Sequence, residues 1–336
     1  MNEVIEFRSG RTIGNAPAAG AEAEPGSFRD RNGSIFYREG RVYRTMSPRA
    51  FANWQRLEAL PFFQRHQELG TIVRTRTAEE PVEGAGGVVE HERIPFISYP
   101  YEWTFGMLRE AALLHLALMR DALADGFILK DASPYNVQWE GMHPVFIDVP
   151  SFEPLGPGEP WVGYRQFCEL MLYPLMLQAY KGIDYRPWLR GRIDGIPADE
   201  MSRLMSKRDL LRKGVLLHVV AQAALQRRYA GSGRNVRKGL AEAGFGKELI
   251  ERNVAKLEAL VRELEPARTR TEWSEYDRTH SYDEVEHAAK VEFVRQAASS
   301  RRWRLAWDIG CNTGTFSRIA ASHADHVVAM DADWMA

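Results

Sequence analysis

Trp307-Asp308-Ile309-Gly310-Cys311-Asn312-Thr313-Gly314, close to the end of a 336-residue chain, is the stretch that decides the fold. An apolar strand runs into a tight glycine-rich turn and a helix-like stretch. A second strand, Val327-Val328-Ala329-Met330, then ends at Asp331. This order makes a half-Rossmann nucleotide site. The glycines let backbone approach a ligand, the helix start offers free N–H groups, and the distal acid suits ribose hydroxyls. The turn fits acid-x-Gly-x-Gly-x-Gly with Asn312 at the middle glycine, and asparagine tolerates left-handed backbone angles better than most residues. The dinucleotide pattern Gly-x-Gly-x-x-Gly fits worse, because Asn312 and Thr315 stand at two of its glycines. Asp331 follows Gly310 by 21 positions, near the offset of about 20 expected of a ribose-binding acid. The spacing therefore favours S-adenosylmethionine over a dinucleotide. Asp308 is placed to orient the cationic methionine moiety, Gly310, Asn312 and Gly314 to let backbone lie along the ligand, and Asp331 or Asp333 to take the ribose. An ordinary strand–loop–helix, with glycines for geometry alone, is the structural alternative.

Upstream of this site, Ser281-Tyr282-Asp283-Glu284 has the form of a capping box opening a helix. The polar, irregular stretch before it makes 266–280 a linker. Ile250, Val254, Leu257, Val261 and Leu264 form an apolar seam on a helix that Pro266 stops. Residues 160–265 as a whole are expected to be mostly helical.

Further back, Phe105 to Ala124 carries Leu108, Ala111, His115, Leu118 and Ala122 on one helical face and meets Gly126. His115 and His218 fall on apolar faces and are expected to be buried structural residues. Ile35-Phe36-Tyr37 and Val42-Tyr43-Arg44 flank a turn at Glu39-Gly40 and predict a hairpin. Ser47-Pro48 opens a helix with a capping hydroxyl and a proline in its first turn. Two more strands are expected at Thr71 to Thr75 and Arg93 to Tyr99, on either side of a loop at Gly84 to Gly87. Residues 1–33, rich in Gly, Ala, Pro and Arg, read as a loose leader.

Composition narrows the class. The chain has 44 basic and 45 acidic side chains and a net charge of −1, which argues for neither nucleic acid nor an anionic membrane surface. Its two cysteines, Cys168 and Cys311, lie far apart, so they suggest no disulfide framework or metal motif and suit a reducing cytosol. The apolar runs are shorter than the roughly 20 residues a membrane helix needs. A soluble, cytoplasmic protein without membrane partners is expected.

A second constellation precedes the helical region: Lys130-Asp131-Ala132-Ser133-Pro134-Tyr135-Asn136, then Val145-Phe146-Ile147-Asp148. Pairing of Val137 to Trp139 with Val145 to Ile147 would set Asn136 opposite Asp148. Facing side chains on paired strands sit roughly 5 Å apart. With Asp131 at the same mouth, one amide and two carboxylates make a candidate hard-cation site. A polar-capped turn is the structural alternative.

Two family resemblances attach to these motifs. Trp307 to Gly314 with Asp331 resembles class I S-adenosylmethionine-dependent methyltransferases, and Trp273-Ser274-Glu275-Tyr276-Asp277 with His280-Ser281-Tyr282 resembles the lead-in segment of a bacterial group of such enzymes, some associated with nodulation. The resemblance to the class I fold covers only residues 270–336. It implies S-adenosylmethionine as cofactor, Tyr276 and His280 covering it, and a small-molecule, glycan-like or lipid-like methyl acceptor. The chain stops five residues after Asp331, so only the first βαβ portion of that α/β Rossmann-type domain is expected.

The Asp131–Asp148 stretch resembles the catalytic loop of protein-kinase-like and aminoglycoside-phosphotransferase-like enzymes. By position the resemblance implies Asp131 as base, Asn136 and Asp148 as magnesium ligands, and ATP as possible co-substrate. The chain departs from that pattern. Leu129-Lys130 replaces the usual histidine, Val-Pro follows Asp148, and no lysine precedes Lys130. Arg44 is the expected stand-in for the missing lysine, with Glu58 as its partner. Arginine's broad fork makes this no neutral exchange.

The sequence thus predicts a small α+β kinase-like lobe over 34–104, a helical lobe over 105–265, and the opening of a methyltransferase domain over 281–336. In the complete protein the expected activity is methyl transfer, with the kinase-like part degenerate, and this chain alone is expected to be inactive. A small-molecule phosphotransferase using Asp131, Asn136 and Asp148, or a non-catalytic substrate-binding scaffold, are the alternatives.

Overall fold

The computed structural model describes residues 21–29, 33–79, 82–229, 246–267 and 283–333. Among the described residues the chain is an α+β protein with a five-stranded antiparallel sheet, two smaller antiparallel strand pairs, a helical body and a parallel strand pair. The sheet has the order β1-β2-β3-β5-β4, from Glu22–Ala23 (β1), Ile35–Arg38 (β2), Arg41–Met46 (β3), Thr75–Thr77 (β4) and Gly87–His91 (β5). β2 and β3 form the expected hairpin. Both turn residues, Glu39 and Gly40, have positive φ (50° and 76°), the two-residue turn whose twist matches its strands.

Helix α1 (Pro48–Glu58) starts as read, with the Ser47 hydroxyl accepting from Ala50 N at 3.3 Å. Pro61 then opens a second helix, α2 (Pro61–Glu68). Trp54 and Leu57 of α1 pack on Met46 and Val89, below the sheet.

The remaining strand expectations for this sheet need correction. The strand predicted at Thr71 to Thr75 begins at Thr75, and only Ile72 makes a bridge, to Phe146. Residues 93–99 are not a strand, while the glycine run supplies one, because Gly87 starts β5. Gly87 sits hard against the Phe51 ring, where a Cβ would come within 2.3 Å of a ring carbon, so this strand must open on glycine.

Helix α3 (Phe105–Ala124) is the axis of the molecule. Thr104 caps it, Gly126 (φ 79°) follows it, and His115 lies on its buried face. Next come β6 (Phe127–Leu129), the hairpin β7 (Val137–Glu140) and β8 (His143–Phe146), and β9 (Phe152–Pro154), which returns antiparallel to β6.

The following body is helical, as expected: α4 (Tyr164–Phe167), α5 (Tyr173–Lys181), α6 (Arg186–Gly191), α7 (Ala198–Leu204), α8 (Gln222–Tyr229) and α9 (Lys247–Glu263). Wider π-helical turns at Cys168–Leu172 and Val215–Ala221 interrupt it. The apolar seam of α9 finds its partner inside the chain, packing along α3. One continuous core joins Met46 and Val89 of the sheet to Leu175 and Val254 of the helices.

The last described segment holds α10 (Glu284–Ser299), β10 (Trp303–Ile309), α11 (Thr315–Ala321) and β11 (Ala324–Met330). α10 opens on a capping box two residues later than read, with Asp283 as cap and Glu286 as its reciprocal partner. β10 and β11 are parallel and joined through α11, with Asp308 opposite Ala329. Among described residues 283–333, only Ala324 is buried. No helix among the described residues is long and apolar enough to cross a membrane. The expected linker at 266–280 lies outside the described residues except for 266–267.

Candidate functional sites

The parallel pair brings Asp308 and Asp331 to the same end of neighbouring strands. Between them the chain turns sharply through three left-handed residues, Gly310 (φ 78°), Asn312 (φ 44°) and Gly314 (φ 82°). Asparagine is therefore doing the conformational task read for it. Gly310 N and Cys311 N both donate to Met330 O, at 2.7 and 3.0 Å, which ties the loop to the end of β11. The Asp331 carboxylate closes the loop, accepting from Asn312 N at 2.8 Å and Asp333 N at 2.9 Å. The Ser317 hydroxyl, from the first turn of α11, donates to Asp308 Oδ2 at 2.6 Å. Sequence reading missed Ser317, although its place on α11 facing a strand-end acid was the available signal.

Burial, then the Asp308 and Asp331 charges, push the Cys311 thiol upward, so both acids act on the same loop. A Cβ built on Gly310 would meet no atom within 4 Å, so the space over the turn is open. Each bonded carboxylate keeps acceptor capacity, since an ionised carboxylate offers about four lone-pair sites. The residues present fit an adenosyl ligand with a cationic sulfonium. Tyr276 and His280 lie outside the described residues.

The second constellation is built differently from its reading. In the β7–β8 hairpin Val137 pairs with Phe146, and Ile147 N donates to Asn136 O at 2.8 Å. Asn136 therefore faces Ile147, and Asp148 lies one residue beyond, because the turn takes only Gly141 and Met142. Asp131 sits in a loop anchored by Ser151. Lys130 N donates to Ser151 O, Asp131 N to Ser151 Oγ, and Ser151 Oγ to Asp131 O, at 3.1, 3.3 and 3.3 Å. Ala132 N donates to Gln166 Oε1 at 2.8 Å. Neither Ser151 nor Gln166 is marked by any local pattern.

Burial and then the nearby Asp148 charge raise the Asp131 carboxyl above the usual range, against the opposing pull of the Gln166 and Asn136 amides. Asp131 Oδ1 and Asn136 Nδ2 are buried without completing a hydrogen bond.

Arg44 reaches across from β3 and donates to Asp148 Oδ1 at 2.9 Å, with side chains 13% and 24% exposed. The partner expected for Arg44, Glu58, accepts instead from Thr77 Oγ1 at 3.3 Å. A guanidinium thus engages the carboxylate that a divalent ion would need, and it is fixed in charge and bulkier than a metal. Among the described residues, no group of three His, Cys, Asp or Glu side chains could hold a metal ion. The residues present do not fit magnesium at Asn136 and Asp148.

Beside this loop, the stretch read as a strand at 93–99 is held by a side chain. The Gln138 amide accepts from Ser98 N at 3.0 Å and donates to Ser98 O at 3.1 Å. Tyr99 is exposed and stacked on Tyr101, with ring centroids 5.4 Å apart, whereas Trp103 is buried core.

An α+β protein with a glycine-turn βαβ unit and an arginine-neutralised acidic loop is the class these features define. No family model matches the chain. It is 32% identical over 331 residues to "Nodulation protein NoeA" of Rhizobium meliloti (strain 1021), spanning 96% of this chain and 68% of that protein. The chain belongs to the NoeA family. Among solved structures it is similar to the Mycobacterium tuberculosis PknI kinase domain. One mutant of that domain matches at 14% identity over 70% of this chain and 99% of the other, with a TM-score of 0.33. A double mutant matches at 16% identity over 73% of this chain and 100% of the other, with a TM-score of 0.34. Superpositions this loose carry no argument about the fold.

Proposed function

We propose that the chain supplies the cofactor turn of an S-adenosylmethionine-dependent methyltransferase, with an appended kinase-like region that binds rather than phosphorylates, and that it serves nodulation as its relative's name describes. One observation carries the methyltransferase reading. Asp308 and Asp331 flank, on neighbouring parallel strands, a turn with three left-handed residues whose backbone Asp331 itself closes. Gly310, Asn312 and Gly314 would lie along the cofactor, Asp331 would take ribose hydroxyls, and Asp308, steadied by Ser317, would face the cationic end. When bound, the sulfonium supplies an activated methyl group. The protein's part is to hold the acceptor, a small-molecule, glycan-like or lipid-like nucleophile, in line and to exclude water.

The kinase-like reading of residues 34–265 rests on element order. A small antiparallel sheet, a helix after its third strand, a long helix and a hairpin-flanked acidic loop follow one another. The Arg44–Asp148 pair, together with the missing lysine, favours binding over phosphoryl transfer in that region.

Calorimetric titration with S-adenosylhomocysteine tests the main reading. Wild type is expected to bind, and Asp331→Ala to weaken binding about tenfold or more, the loss of charge-assisted hydrogen bonds to hydroxyls. Circular dichroism checks that the variant keeps its helices. Absent binding by a wild-type chain that carries the whole domain, or equal binding by a folded Asp331→Ala, refutes the proposal.

A further inference from the structure

Between α1 and the β6–β9 edge lies a cavity of about 160 Å³ that borders the Asp131–Asp148 loop through Lys130, Val149 and Pro150. Its floor is apolar, with Met46 and Trp54 both 2% exposed. Its rim is charged and comes from two separate elements: Arg49 and Asn53 on α1, and Lys130 with Glu153 on the β6–β9 side. Arg49 and Asn53 are one helical turn apart, so their side chains share a face.

Among the described residues, neither the Arg49 guanidinium nor the Asn53 amide has a hydrogen bond or ion pair. Lys130 Nζ is held by Glu153 Oε1 at 2.6 Å, and Arg44 by Asp148, so those charges are balanced within the protein. Arg49 is left as one uncompensated cation beside an apolar recess, with a donor amide next to it.

We infer that this cavity binds a small amphipathic anion, a carboxylate or phosphate ester with a planar or aliphatic body. The head would take a forked pair of hydrogen bonds from Arg49 and a third from Asn53, and would draw on Lys130 in competition with Glu153. The body would lie over Trp54 and Met46. Such a ligand ties α1 to the segment that carries Asp131, and its site is independent of the glycine turn at 310–314.

The test is a titration of the full chain labelled with ¹³C at methionine methyls, with the Met46 resonance assigned from Met46→Leu. Benzoate and phenyl phosphate are the anionic probes and benzyl alcohol the neutral one. The Met46 methyl is expected to shift with at least one anion and not with benzyl alcohol. The tighter-binding anion tells a carboxylate site from a phosphate site. Arg49→Ala, an exposed position that spares the core, should weaken binding about tenfold, and Arg49→Lys should recover part of it. An unmoved Met46 signal, equal binding of benzyl alcohol, or an Arg49→Ala titration matching wild type overturns the inference.

Discussion

Replacing Arg44 by methionine keeps the aliphatic reach of the side chain and removes only the guanidinium. The lost contacts include a 2.9 Å ion pair whose members are 13% and 24% exposed. Exposed pairs are worth roughly 0.2–1 kcal/mol, whereas breaking a buried pair costs roughly 3–5 kcal/mol by stranding the other charge. A pair at this depth should cost about 2 kcal/mol. The stranded Asp148 also faces Asp131, whose carboxyl is already raised by burial and by that same neighbour. In the variant, protonating Asp131 relieves repulsion, so the deficit should shrink as pH falls through its raised pKa. His91, held at about 3 by burial and by the Arg44 charge, should titrate upward at the same time. Urea unfolding at pH 7 and pH 5 measures the deficit, and adding Asp148→Asn completes a double-mutant cycle with an expected coupling of about 1–2 kcal/mol. Magnesium should stabilise Arg44→Met more than wild type, because the variant frees a carboxylate for it. A cost below about 0.5 kcal/mol with no coupling would refute the view that this arginine neutralises the acidic loop.

Two further outcomes follow from residues away from the acids. His115 is buried against Phe146, Trp161 and Phe167, neither ring nitrogen has a partner, and burial holds its pKa at about 3. Its folded pKa lies below the unfolded value of about 6.5, so stability present at neutral pH drains away as pH falls below 6.5, by about 2 kcal/mol at pH 5. His115→Leu should flatten the fall in Tm between pH 7 and pH 5, leaving the part owed to His91 and His218, and an unchanged slope would contradict this. Ser47→Ala should cost about 1 kcal/mol in chemical unfolding by removing the cap on α1, and a neutral result would show that the cap hydrogen bond adds nothing there.

Local chemistry carried much of the fold. Ser47-Pro48, Glu39-Gly40, Thr104 before Phe105, and Gly126 each act through neighbours in the chain, and each element starts or turns where those residues require. What stayed hidden was nonlocal. Ile94, Phe96 and Ser98 alternate like a strand, but Pro95 and Pro100 remove donors and the Gln138 side chain takes a strand's place, 40 residues away. Gly84 to Gly87 looked like pure loop because the ring that demands Gly87, Phe51, sits on another element. At the sites, the pairing of Asp308 and Asp331 was legible from strand–turn–helix–strand order alone. The Arg44–Asp148 bond was not, since it spans 104 residues and depends on how the sheet docks beside the hairpin.

The parallel pair has one further consequence. Leu305, Trp307 and Ile309 are 38%, 60% and 78% exposed along one strand, and a lone alanine is all that residues 283–333 enclose. Residues 283–333 by themselves enclose little dry interior, and β pairs of this size on their own are marginal in water. Amide protons of β10 and β11 should therefore trade with deuterium long before those of α3, by an opening that leaves the helical body closed. A nucleotide lodged in the glycine turn would then act as a clasp, slowing that exchange in proportion to its occupancy.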